Sequence, residues 1–433
     1  MSHFHQITDE QPDHVKKLNL ENKGCMLVGI RKVQITDIPL PILQPDGVLV
    51  KVVSTDKSHT FLISSFDMHA YSSGGVGGRP ITEPVIMGHE SAGEVIAVGS
   101  AVTSHKVGDR VAVEPGLPCR RCINCKEGRS NLCLDYLYCG APNAKGSIQK
   151  YFALPADMAP KFPDNVGWDE AGSIQPLAIG IQIGKRVDLR PHQTLAVMGC
   201  GPIGLITAAV AHAYSVKKII GIDINPTRVE FARKYISPIT GKPIFDHVFL
   251  NSPLPAVSLK HKYETDPALV KAISDLPSGP GGDVEPTQAN GHESTVGDMK
   301  WENAIVRAAG WLEESGLAEA GGVDRVVEAS GTEDCCLLGV ALAKQGGTYL
   351  QVGLSHIQTM LFPNVAVTNK ELDLKGITRY TSSCFPSAID LLSRGMVDLK
   401  PLISKTFPLA RSQEAFEAVR AGKDIKIIIK NQE

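Results

Sequence analysis

The six residues GCGPIG, Gly199 to Gly204, constrain this chain more than any other stretch. An apolar, strand-like run, TLAVMG, leads into them, and a buried helix-like run, PIGLITAAVAHAY, leads out. A second apolar run, KIIGID, ends on Asp223. The pattern G-x-G-x-x-G alone is weak, but strand, loop, helix, strand and acid in this order form a dinucleotide-binding fingerprint. Gly199 makes the tight turn, Gly201 lets the backbone approach a pyrophosphate, and Gly204 lets the helix pack close to the strand. Pro202 and Ile203 open the helix, whose first N–H groups face the phosphates. Asp223 can accept hydrogen bonds from ribose hydroxyls and would repel a 2′-phosphate, so NAD is favoured over NADP. Arg228, five residues on, either softens that preference or is an exposed helix residue.

The fingerprint sits within a larger alternation. The runs HVFL, DRVVEAS and GTYLQVG read as further strands, with helical runs between them. Strands alternating with helices predict an α/β domain built on a doubly wound parallel sheet. The preceding segment, Gly24 to Pro176, has a different texture. GVLVKVV, SAGEVIAVG and DRVAVEP are β-branched runs broken by Gly, Pro and Asp. They predict a β-rich, barrel-like domain. The closing run FPLARSQEAFEAVRAGKDIKIIIK reads as a helix and a strand that return to complete that first domain. Between Asn251 and Gly322, the Gly/Pro/Ser/Thr-rich stretch near residues 275–300 reads as a flexible surface insertion.

Composition narrows the function. A formal net charge of −2 over 433 residues provides no field for nucleic acid or an anionic membrane. Residues 1–23 lack a basic start with an apolar run, and are expected as a polar tail rather than a secretory signal. The run from Leu195 to Tyr214 is long enough to suggest a membrane span, but Gly199, Gly201, Pro202 and Gly204 interrupt it. Ten cysteines without a leader suggest a reducing, cytoplasmic setting.

Four of those cysteines are clustered. CRRCINCKEGRSNLC places Cys119, Cys122, Cys125 and Cys133 at C-x2-C-x2-C-x7-C. Four thiolates close a tetrahedral zinc site with no open position, so this site is read as structural. The spacing does not follow the iron–sulfur patterns.

Taken together, MGHESAGEVIAVGSAV, VGDRVAVEPG, the four-cysteine loop, IQPLAIG, GCGPIG, GIDINPTR and LKGITRY resemble the zinc-containing medium-chain alcohol dehydrogenases. Within that family the likeness is to the polyol branch, the sorbitol, xylitol and L-arabinitol dehydrogenases. It runs from about Gly24 to Lys430. It implies a GroES-like catalytic domain, residues 24–176 and 379–433, around a Rossmann NAD-binding domain, residues 177–378. It also implies a catalytic zinc in the cleft between them, a small polyol as substrate, and a homo-oligomer, dimer or tetramer. By the resemblance, His89 and Glu90 are catalytic zinc ligands, and Asp67 orients a ligand. His69 relays the alcohol proton, and Arg379 and Tyr380 lie near the substrate.

Two departures from the family pattern bear on activity. Family members carry a zinc-ligand cysteine shortly before the position of Asp67. Here counting from either flank puts Ser58 or Ser64 at that place, within DKSHTFLISSF, residues 56–66. That segment is about six residues too long, between ordinary flanks. It reads as a splicing error or variant, or else as a true loop insertion. His59, Asp56 or Asp67 are candidate substitutes, and nothing in the spacing positions them. The second departure is Gln175, where the branch commonly has glutamate. The expected activity is zinc- and NAD-dependent oxidation of a secondary alcohol of a small polyol to a ketose, impaired by the missing cysteine. The alternative is an inactive NAD- and zinc-binding relative that serves as an interaction or oligomer partner.

Overall fold

The computed structural model describes residues 8–58, 66–76, 79–141, 144–257, 295–354 and 359–433. The chain divides into two compact units, Met1–Gln182 with Thr378–Glu433, and Ile183–Ile377. The first division falls inside one helix, Ile174–Val187, rather than at a loop.

The Ile183–Ile377 unit is built on a parallel sheet of six strands. Across the sheet they run His247–Leu250, Lys218–Asp223, Thr194–Met198, Val323–Glu328, Ala343–Gln351 and Asp373–Gly376. In chain order this is 3-2-1-4-5-6, the doubly wound arrangement. Strand order reverses between the first and fourth strands, and that switch point is where such sheets take a dinucleotide. The central strands are apolar on both faces because helices cover both sides. Ala196, Met198, Ile220, Ile222 and Val326 are buried in one cluster with Leu338 and Tyr349 of the later elements.

The other unit centres on an antiparallel sheet around the long strand Gly47–Ser58. Its neighbours are Ser91–Val98, Tyr151–Pro155 and the C-terminal strand Lys426–Lys430. Alternate residues Val48, Val50 and Val52 point into a core with Val95, Val111, Val113 and Phe152, as a period of two requires. The final strand therefore completes a sheet begun near residue 47.

Several sequence expectations need adjusting. The part of the polar tail that is described, residues 8–23, is packed: Val15 is buried with Leu43, Leu49 and Ala97, and Leu43 N–H donates to Gln11. Leu20 packs on the same cluster, and Thr8 and Gln11 bond to Gln44, Pro41 and Leu43, so apolar and polar contacts together dock it. Most of the insertion expected near 275–300 lies outside the described residues. Its end, Val296–Lys300, is helical rather than loop, because Thr295 and Asp298 cap the helix Val296–Glu314 reciprocally. In the segment 56–66, residues 56–58 extend the strand Gly47–Ser58 and pair with Ile428, Ile427 and Lys426. His59 and Ser64 lie outside the described residues.

Candidate active site

His89 and Glu90 end the loop that feeds the strand Ser91–Val98. Both are buried, at 5% and 2% exposure. Asp67, in the first turn of the helix Phe66–Ser73, reaches across to this loop. Its Oδ1 accepts the Gly88 N–H at 3.1 Å, and its Oδ2 lies 3.2 Å from His89 Nδ1. The two atoms are at ion-pair distance without the alignment of a hydrogen bond; a carboxylate beside Nδ1 favours the tautomer protonated there. Nε2 in turn lies 3.6 Å from Glu90 Oε1. The imidazole and the carboxylate thus converge, as a metal site requires.

The far side of Glu90 holds a residue the sequence reading missed. Lys426 is fully buried, and its Nζ is 3.8 Å from Glu90 Oε2. A buried carboxylate needs a compensating charge, and Lys426 supplies one. The available signal was a lysine heading three isoleucines in a strand bound for the middle of a sheet.

Tyr138 joins the group from another direction, with its ring centroid 5.4 Å from that of His89. Gln175 donates from Nε2 to the Tyr138 hydroxyl at 3.0 Å. Tyr138 stacks on Tyr136, and the Arg379 guanidinium lies 4.2 Å above the Tyr136 ring. Arg379 also donates to Asn131 O at 3.0 Å. Tyr380 is buried against Phe385, and its hydroxyl has no hydrogen-bond partner among the described residues. His69 is half-buried on the helix of Asp67, two residues along. That spacing turns it about 200° around the helix from Asp67. Cys139 is buried near Asp67; burial, then that carboxylate, pushes its thiol up to about 12.

The four cysteines of the loop come together. Cys119, Cys122, Cys125 and Cys133 place their sulfurs within 4.8 Å of one another. Backbone N–H groups of Cys119 and Cys122 point at the sulfurs of Cys133 and Cys119, at 3.1 and 3.3 Å. Backbone donors from Leu134 and Cys125 pull the Cys122 thiol below its ordinary range. Four soft donors at this spacing fit a tetrahedral zinc ion. Among the described residues no other group of three or more His, Cys, Asp or Glu side chains has ligand atoms so close. Among the described residues, His89 and Glu90 are the pair of sequence-expected zinc donors brought together here, and a catalytic zinc usually takes three protein ligands.

In the Ile183–Ile377 unit the fingerprint residues form a cradle. The helix Pro202–Ala213 starts with Pro202 at its first position and no side-chain cap, so its N–H groups are open to an anion. A Cβ on Gly204 would lie 1.8 Å from Gly199 O, which only glycine avoids. Asp223 Oδ2 accepts the Cys200 N–H at 2.7 Å, and Oδ1 accepts that of Asn225 at 2.8 Å. The acid thus also pins the loop, a role its spacing did not reveal. Arg228 Nη1 is 3.9 Å from Asp223 Oδ2. These features fit a dinucleotide.

Residues 44–164 match the alcohol dehydrogenase GroES-like domain. The D-xylulose reductase A of Aspergillus niger is 34% identical over 412 residues, spanning 95% of this chain and 97% of its own length. The enzyme of that name from Aspergillus oryzae is 34% identical over 410 residues, spanning 94% and 96%. The chain belongs to the zinc-containing medium-chain alcohol dehydrogenases, on the polyol dehydrogenase branch. Its fold is that of L-idonate 5-dehydrogenase from Escherichia coli, with a TM-score of 0.72 at 20% identity over 95% of this chain and 98% of that one. As a member of the polyol branch it is an oxidoreductase of the polyol dehydrogenase type. No helix among the described residues is long and apolar enough to cross a membrane.

Proposed function

We propose that this chain is a zinc- and NAD-dependent polyol dehydrogenase, interconverting a secondary alcohol of a small polyol and a ketose, with turnover held down by an incomplete catalytic metal site. The observation that carries this reading is the buried His89–Glu90 pair, oriented by Asp67 and charge-matched by Lys426. The curated relatives are named for D-xylulose, which points to a five-carbon polyol and ketose pair.

In this reading a bound zinc supplies Lewis-acid activation of the substrate oxygen. His89 Nε2 and Glu90 Oε1 would hold the ion. Asp67 keeps the His89 ring in the correct tautomer. Arg379, steadied by Tyr136 and Asn131, orients neighbouring hydroxyls, and Tyr380 offers a hydroxyl for the same purpose. His69 carries the released proton outward. The Gly199–Gly204 loop and Asp223 would hold NAD, which when bound would supply hydride-accepting chemistry. The four cysteines would hold a second zinc, with a structural role.

The serine at the place of the family's ligand cysteine, at Ser58 or Ser64, favours a second reading, an NAD- and zinc-binding relative without turnover. Zinc analysis of the purified protein, with an assay of polyol-dependent NADH formation, separates the two. About two zinc ions per chain with measurable oxidation supports the enzyme; about one, with no oxidation, supports the inert relative. Replacing residues 56–66 with Gly-Ile-Cys-Gly-Ser should raise polyol oxidation sharply. No gain in folded protein would remove the missing cysteine as the cause.

A further inference from the structure

Glu328 is the last residue of the fourth strand of the parallel sheet, and it is completely buried. Among the described residues no lysine or arginine pairs with it. Hydrogen-bond donors surround it instead. Oε1 accepts from the Ser330 N–H at 2.8 Å, from the Ser330 hydroxyl, and from the Gly331 N–H at 2.9 Å. Oε2 accepts from Gly331 N–H at 2.9 Å and from Gln351 Nε2 at 2.7 Å. Gln351 ends the fifth strand, and its own Oε1 accepts the Tyr349 hydroxyl at 2.8 Å. The Glu328 backbone carbonyl also accepts the N–H groups of Val352 and Gly353, at 2.9 and 2.8 Å.

The Glu328 side chain thus ties the loop after the fourth strand to Gln351 at the end of the fifth, and its backbone carbonyl holds the loop that follows. The two loops meet so closely that a Cβ on Gly353 would lie 2.1 Å from Gly331 N and 2.5 Å from Glu328 Oε2. The first of these loops also abuts the fingerprint: a Cβ on Gly199 would lie 3.2 Å from the Ala329 carbonyl carbon and from Ser330 N. Both loops leave the carboxyl ends of strands on the far side of the switch point from Asp223. In a 3-2-1-4-5-6 sheet each half takes one mononucleotide. Asp223 belongs to the adenosine half, so these loops belong to the nicotinamide half.

We propose that Glu328 is a positioning residue for the nicotinamide half of the dinucleotide site: its buried carboxylate locks residues 329–332 and 351–353 into one rigid platform. The proposal rests on the reading of this unit as an NAD site. The role needs a carboxylate. Four donor groups aim at its two oxygens, and an amide in that place would turn an NH2 against at least one of them. Burial raises the Glu328 pKa, and the bonds from Ser330, Gly331 and Gln351 oppose that rise.

The test is binding rather than turnover. Dissociation constants for NADH and for AMP would be measured by fluorescence and calorimetry on the full-length wild type, Glu328→Gln and Glu328→Asp. NADH uses both halves of the site, whereas AMP uses only the half that contains Asp223. We expect Glu328→Gln to weaken NADH about ten-fold or more, the size of an inverted buried hydrogen bond. AMP should stay within about two-fold, and Glu328→Asp should recover part of the loss. If Glu328→Gln is insoluble, Gln351→Leu replaces it, because that variant removes the side-chain part of the link and leaves the carboxylate and the backbone bonds to Glu328 O in place. A loss for NADH less than about five times the loss for AMP overturns the proposal, since a merely structural residue moves both together. A wild type that binds AMP and NADH, with variants unchanged, removes the platform and keeps the NAD reading. A wild type that binds neither removes both.

Discussion

Glu114 provides the sharpest test of the electrostatics in the β-rich unit. It lines a cavity of about 330 Å³ together with Tyr136, Tyr380, Arg120 and Asp157. Burial, reinforced by Asp157, pushes its carboxyl from an ordinary 4.5 up to about 8, and Arg120 only partly opposes this. Arg120 is itself engaged by Asp157 at 2.7 Å. In the unfolded chain the group loses its proton near 4.5; in the fold it keeps it to about 8. Between those values the folded state binds more protons, so stability falls as pH rises, and none of this loss exists below 4.5. At about 1.4 kcal/mol per pH unit the ceiling is about 5 kcal/mol at pH 8. Water in the cavity and a polarisable surround reduce that figure, and we expect about 1–3 kcal/mol. Glu114→Gln keeps the shape and does not titrate. Urea unfolding of wild type and variant should give a gap in favour of the variant that widens steadily from about pH 5 to pH 8. A gap that stays flat over that range, or one that shrinks, would show that Glu114 is ionised in the fold and refute the reasoning.

Three further outcomes follow from the site. Asp67→Asn removes the charge that orients His89 and should weaken metal binding at the His89–Glu90 pair about 10- to 100-fold, read by competition with a chromogenic chelator; an unchanged affinity would mean that the ring needs no such support. Asp223→Ala should weaken NADH and narrow the preference over NADPH, because Arg228 stays while the acid and its bond to Cys200 N–H go; NADH affinity equal to wild type takes Asp223 out of the site. Cys122→Ser should cost the protein one zinc per chain and expose residues 119–133 to limited proteolysis; retention of both zinc content and protease resistance would argue that the four sulfurs hold no ion.

The linear order of residues carried a good deal. A glycine fingerprint between a strand and a helix is a local object, and so is a run of four cysteines, because short spacers force neighbouring residues together whatever the rest of the chain does. The alternation of apolar runs likewise announced a doubly wound sheet, since period and composition report which faces are covered. The strand Lys426–Lys430 was legible as a strand for the same reason.

Its partners were not legible. Lys426 meets Glu90 only because the C-terminal strand pairs with Gly47–Ser58, which in turn pairs with Ser91–Val98. Asp67 meets His89, Gln175 meets Tyr138, and Arg379 meets Tyr136 through contacts between segments far apart in the chain. Glu328 looked like one more residue at a strand end until folding brought Ser330, Gly331 and Gln351 around it. Spacing along a chain specifies what lies within a few residues. The compensation of a buried charge depends on which distant side chains share its low-dielectric surroundings, and only the packed molecule brings those together.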